Sequence, residues 1–156
     1  MRKWLPIVLL CCYPLLADKY TGPRPPKPDL PYLMHADTLV PTESVEAQEE
    51  KKKGNVTYVI PGASSSARTP LASPAFLMMT DQIPADRMQL FKVQSKGGRR
   101  EVEYMRGNKR VARPIRLNIT PLGDNLFKIE VDEILENGEY SLSPADSNQV
   151  FCFQIY

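Results

Sequence analysis

The sequence predicts an all-β fold: a small antiparallel β-sandwich of about eight short strands over residues 55–156. Three observations predict it. From Asn55 onward apolar and polar residues alternate with period two. Turn signals rich in Gly, Pro, Asn and Asp separate the alternating stretches. No stretch after residue 54 carries the apolar spacing of an amphipathic helix. Antiparallel sheets allow one apolar and one wet face per strand, which the alternation supplies.

The chain opens with Arg2 and Lys3, an uncharged run from Trp4 to Leu16, then Ala17 and Asp18. A basic start, an apolar middle and a small residue before the cut make a secretory signal peptide, placed at residues 1–17. The run is shorter than the roughly 20 residues of a membrane-spanning helix, and Pro14 breaks a helix just before the cut. Leu10 precedes Cys11, where a lipoprotein signal wants a small residue, so no lipid anchor is expected. The mature chain is expected to be secreted or periplasmic, with no transmembrane anchor.

Residues 18–54 read as a Pro-rich arm and a charged linker. Of the 15 prolines in the chain, Pro23, Pro25, Pro26, Pro28, Pro31 and Pro41 fall here. Each fixes φ and removes a donor, which favours an extended conformation. Pro31-Tyr32-Leu33-Met34 offers enough apolar surface to pin part of the arm. Glu43 to Lys53 places acids before bases, a solvated helical turn behind Thr42 or a disordered linker.

The strands then follow in order. Val56, Tyr58 and Ile60 alternate with polar or smaller neighbours, and Ala75 to Met79 is an apolar run of strand length. Gln89–Gln94 and Arg100–Tyr104 flank Ser95-Lys96-Gly97-Gly98, which reads as a hairpin with a four-residue turn. Ile115, Leu117 and Ile119 precede the turn Pro121 to Asn125. Phe127, Ile129 and Val131 alternate with Lys128, Glu130 and Asp132. Tyr140 and Leu142 come next, and Val150 to Tyr156 is rich in β-branched and aromatic residues.

Leu135, Gly138 and Tyr140, leading into an alternating strand, resemble the tyrosine corner of immunoglobulin-like and fibronectin type III-like sandwiches. The resemblance implies that the Tyr140 hydroxyl bonds back to upstream backbone, and that Tyr140 opens the penultimate strand. The immunoglobulin Cys pair and core Trp are absent from the mature chain, so the likeness is to the sandwich and not to antibody domains. The whole chain is similar to short exported bacterial proteins, a likeness that implies no activity.

No catalytic residue, metal-ligand set or cofactor motif is expected. The single His, His35, sits in the arm, where a general base would be poorly held. Ser64-Ser65-Ser66 reads as a loop. Of three cysteines only Cys152 survives cleavage, which leaves no intramolecular disulfide; within an apolar strand its thiol is expected to be inert.

Charge is the uneven feature. Lys92 to Arg116 holds Lys92, Lys96, Arg99, Arg100, Arg106, Lys109, Arg110, Arg113 and Arg116 against Glu101 and Glu103, whereas Asp124 to Asp146 is acidic apart from Lys128. Either these blocks form separate patches, with Arg99, Arg100, Arg106, Lys109 and Arg110 meeting a partner, or neighbouring strands pair the charges across the sheet. The net charge of +2 is too small to imply a polyanion by itself, and nucleic acid is not expected. The resulting expectation is an exported non-catalytic structural or interaction domain, binding an envelope component or a protein. The alternative is a calcium-binding accessory domain or a hydrolase built on residues 124–146.

Overall fold

The computed structural model describes residues 19–156, and the expected leader at residues 1–17 lies outside them. β1 (Tyr32–His35) and β2 (Thr38–Pro41) form a hairpin. β3 (Glu43–Glu46) and β4 (Gln48–Lys52) follow with only Ala47 between them, and β5 (Asn55–Pro61) returns along β4. After β6 (Arg68–Thr69) and β7 (Ala75–Met79), a 3-10 turn at Ala85–Arg87 leads into β8 (Met88–Lys96) and β9 (Arg99–Arg106). β10 (Lys109–Arg110), β11 (Leu117–Gly123) and β12 (Leu126–Val131) come next, then β13 (Gly138–Pro144) and β14 (Gln149–Ile155). The expected all-β class is therefore the observed one, and the eight expected strands correspond to β5, β7, β8, β9 and β11 to β14.

Two sheets pack face to face. The first has the order β11-β12-β7-β1-β2, and the second β3-β14-β13-β8-β9-β5-β4, with β10 added to β9 and β6 to β14. All pairings are antiparallel except β6 with β14. The two ends of the second sheet, β3 and β4, are consecutive in the chain. Ala47 alone separates them, and its N–H donates to the carbonyl of Asn148 at 2.8 Å. One bent strand thus pairs with β14 before Ala47 and with β5 after it. This brings the ends of the sheet together, and the sheet curls around an interior of its own.

The curl gives two cores. Between the sheets lie Leu33, Phe76, Met78 and Ile129 from one side and Leu90, Tyr140, Leu142, Phe151 and Phe153 from the other. Phe76 meets Phe153 edge-on at 5.0 Å; each such side chain contributes about 1.5–3 kcal/mol by burial. Inside the curl lie Ala47, Ile60, Val93, Val150 and Cys152, with Val45, Tyr58 and Val102 against them. β8, β13 and β14 stand between these cores. The expectation of one wet face per strand therefore fails for β13 and β14, where Glu139 to Leu142 and Val150 to Phe153 are buried without a break.

The arm and linker expected at residues 18–54 are also corrected: much of that segment is sheet. Leu33 is fully buried on β1, and Pro41 closes β2 at the sheet edge, where a missing N–H costs no ladder bond. Thr42 donates both its N–H and its hydroxyl to the Pro31 carbonyl. Upstream, the Asp29 carboxylate accepts N–H bonds from Asp81, Gln82 and Ile83. The acid-then-base run forms β3 and β4 instead of a helical turn; its backbone pairs with β14 and β5 while every residue of β4 stays exposed. The β8–β9 turn is tighter than expected, with Lys96 opposite Arg99 and only Gly97 and Gly98 between them. Both have positive φ, +60° and +77°, as a type I′ turn requires.

Candidate functional site

Alternation along β9 sends neighbouring arginines to opposite faces. Arg99 points outward, 44% exposed, and pairs with Glu50 at 3.1 Å and Glu101 at 3.2 Å. Arg100 points into the curl and is 1% exposed. Its five N–H groups are all engaged: Nε donates to Gly62 O, Nη1 to Ser65 Oγ and Glu43 Oε2, and Nη2 to Glu43 Oε1 and Pro61 O. The Glu139 carboxylate accepts from the backbone N–H and hydroxyl of Ser65, and lies 3.9 Å from Arg100 Nη1. Burial works against the Arg100 charge, but the hydrogen bonds to Glu43 and the neighbouring carboxylates raise its pKa above the ordinary value. Arg100 is thus an internal plug closing one end of the curl, and its expected place on a partner surface is corrected.

The rest of the expected basic cluster divides similarly. Arg106 is engaged by Glu103 at 2.8 Å, which holds that carboxyl below its usual range. Arg110 lies over the ring of Tyr104 at 4.9 Å, a cation–π contact. Lys109 is exposed, and among the described residues no carboxylate comes within ion-pair distance of it.

Its neighbours come from a segment that sequence reading assigned to the linker. The β4–β5 turn, Lys53-Gly54, abuts the β9–β10 turn, Gly107-Asn108, and Gly107 N–H donates to Asn55 Oδ1 at 3.1 Å. Lys51, Lys52 and Lys53 therefore share one end of the second sheet with Arg106, Lys109 and Arg110, and all six are exposed. Lys51 reaches Glu49 at 3.3 Å. Among the described residues Lys52, Lys53 and Lys109 have no carboxylate within 4.0 Å, so their charge is free to act outward. The run Lys51-Lys52-Lys53-Gly54-Asn55 carried a hairpin signal, but only the pairing of β5 with β9 puts it beside the second turn.

The acidic block does not converge. Glu136 pairs with Lys92 at 2.8 Å, Asp146 with Arg87 at 3.0 Å, Glu130 with Lys128 at 2.6 Å and Asp124 with Arg24 at 3.4 Å. Asp132 and Glu133 both face Arg116 at 4.0 Å. Among the described residues no three His, Cys, Asp or Glu side chains gather as a metal site would need. These ion pairs join residues along one strand or reach loops and turns, and none links residues opposite each other on neighbouring strands.

The remaining candidates have structural partners. His35 ends β1 and shares a 2.8 Å hydrogen bond with the hydroxyl of Thr69. Ser64-Ser65-Ser66 is a loop whose backbone serves Glu139 and Glu43. Cys152 is buried, and burial pushes its thiol up to about 12 although Arg100 pulls the other way. At the corner, Leu135 is buried, Gly138 has a φ of +152°, and the Tyr140 hydroxyl donates to the Glu136 carbonyl at 2.8 Å. Comparison with protein-family models, curated proteins and solved structures finds no match for this chain.

Proposed function

We propose that the chain is an exported, non-catalytic interaction domain of the cell envelope or exterior, docking a phosphate-bearing envelope surface through the basic end of its curled sheet. The observation that carries this is the trio Lys52, Lys53 and Lys109: exposed, in or next to two abutting turns, and free of carboxylates among the described residues. Export rests on the leader pattern. The non-catalytic reading is supported by the commitments of the reactive groups, since Cys152 is held protonated and the carboxylates of residues 124–146 are spread among separate cations instead of converging. Kinship with immunoglobulin-like sandwiches belongs to the same proposal, supported by the Tyr140 bond to upstream backbone.

Sedimentation of the mature chain with vesicles tests it. Binding to phosphatidylglycerol vesicles is expected, with none to phosphatidylcholine vesicles and a decline as salt is raised. A cation beside an anionic surface is worth about fivefold in affinity, so Lys52→Glu, Lys53→Glu and Lys109→Glu together should cost roughly 100-fold or more. Equal binding to both vesicle types, or no loss in the triple variant, overturns the proposal.

A further inference from the structure

The curled sheet is plugged at one end by Arg100 and open at the other. Between the plug and the β13–β14 turn lies a cavity of about 270 Å³, near the lower end of the range of small-molecule sites. Its walls alternate in chemistry. Tyr58, Phe91 and Tyr104 supply aromatic surface, the two tyrosines meeting edge-on at 5.6 Å, and Ile60, Val102 and Val150 complete the apolar lining.

Set into these walls are polar groups without protein partners. Ser141 is only 2% exposed, yet its hydroxyl makes no hydrogen bond among the described residues and faces the cavity. No buried side-chain polar atom among the described residues is sealed away without a partner, so the Ser141 oxygen must reach the open space. Ser143, Gln89 and Asn148 line the same space, and their side chains are likewise unbonded among the described residues. The Tyr58 hydroxyl joins them as a neutral donor; burial and the nearby Glu49 raise its pKa above the ordinary value.

Fixed charge is nearly absent from this lining. Asp146 is its one ionised side chain, and Arg87 engages it at 3.0 Å. An ion entering the cavity would lose water without gaining a counter-charge. A wholly apolar guest would leave the buried Ser141 hydroxyl unpaired, and would not use the half-buried Gln89 or the exposed Asn148 at the rim. What satisfies both walls is an uncharged molecule with an apolar face and a rim of hydroxyls, the surface that a pyranose ring presents.

We propose that this cavity is a binding site for a neutral, hydroxyl-rich small molecule of sugar type, with Tyr58 and Tyr104 as its aromatic wall and Ser141, Gln89 and Asn148 as hydrogen-bonding partners. Lys52, Lys53 and Lys109 do not line this cavity, so substituting them leaves its lining unchanged.

Titration of the ¹⁵N-labelled mature chain, followed by amide spectra, tests the assignment with glucose, N-acetylglucosamine and maltose as probes. Glucuronate and p-cresol serve as the charged and apolar comparisons. At least one neutral sugar should give saturable shifts at Ser141, Ser143 and Asn148. Ser141→Ala and Asn148→Ala should each weaken binding about fivefold, the worth of one hydrogen bond, with melting temperatures near that of the wild type. Tyr58→Phe keeps the ring and guards against a loss caused by misfolding: it should retain the aromatic wall and lose only the hydroxyl's share. No saturable shift from any neutral sugar at about 100 mM, a hundredfold above a 1 mM site, overturns the proposal. So does preferential binding of p-cresol or glucuronate, or affinity unmoved by Ser141→Ala and Asn148→Ala.

Discussion

Arg99 and Arg100 are adjacent, identical in chemistry and opposite in consequence, which makes them a matched pair for testing the buried network. Replacing Arg100 by Met retains much of the side-chain volume but removes the cation and its five donors. Glu139, only 6% exposed, and Glu43 then keep their charges with no buried counter-charge. Breaking a buried pair from one side costs about 3–5 kcal/mol. With a urea slope of about 2 kcal/mol per molar, the unfolding midpoint should fall by roughly 2 M. Circular dichroism through a urea series at pH 7 measures it. Arg99→Met, whose guanidinium is largely in water, should leave the midpoint within experimental scatter. Combining Arg100→Met with Glu43→Gln and Glu139→Gln should recover much of the loss, because no charge is then stranded. Equal midpoints for the Arg99 and Arg100 variants would refute the assignment of Arg100 as the plug of the curl.

Cys152 should resist a thiol reagent such as DTNB at pH 8 in the folded protein and react on unfolding in urea, since burial pushes its thiol up to about 12. Rapid labelling of the native chain would show that the interior of the curl is open there. Tyr140→Phe should cost about 1 kcal/mol, the net worth of its bond to Glu136, without altering the far-ultraviolet spectrum. At Asp29, burial pushes the carboxyl pKa up, but the N–H groups of Asp81, Ile83 and Gln82 outweigh it and hold the value below the ordinary one. Its stabilisation is therefore present above the unfolded value of about 3.9 and is lost as pH falls through the lower folded value. The melting-temperature gap between wild type and Asp29→Asn should hold at neutral pH and close in acid; a gap that widens in acid would contradict the sign.

Period-two alternation located the strands because it reports a local fact, which side of a ladder each residue faces. Val56, Tyr58 and Ile60, or Ile129 and Val131, could be read that way without knowing what lay opposite. The curl could not be read so. It depends on Ala47, a small residue at which one bent strand leaves β14 and joins β5, and nothing in Val45-Glu46-Ala47-Gln48 distinguishes a bend from a linker. The acidic and basic side chains around it suggested solvation, correctly for β4, but solvated side chains do not prevent a backbone from pairing. Pro31 and Pro41 misled for a related reason: proline is excluded from the middle of a central strand and still suits the position just before a strand, as at Pro31, or the end of an edge strand, as at Pro41.

Charge was legible as composition and not as position. The block from Lys92 to Arg116 suggested one surface, yet a period-two strand must split Arg99 from Arg100, and the sheet curvature then decides that one side is an interior. Burying Arg100 forces its carboxylates to be near, and these come from β3 and β13, far away in sequence and close only through the curl. The outward charge therefore moves to residues whose partners the pairing does not supply. Lys52 and Lys53 sit at a hairpin tip where the strand pairing ends, and Lys109 occupies the matching place on the next hairpin. Lys52 stands opposite Asn55 and Lys109 opposite Arg106, neither of them a carboxylate, and Lys53 lies in the turn itself, so such hairpin ends are where an evenly charged β domain can present one sign to a partner.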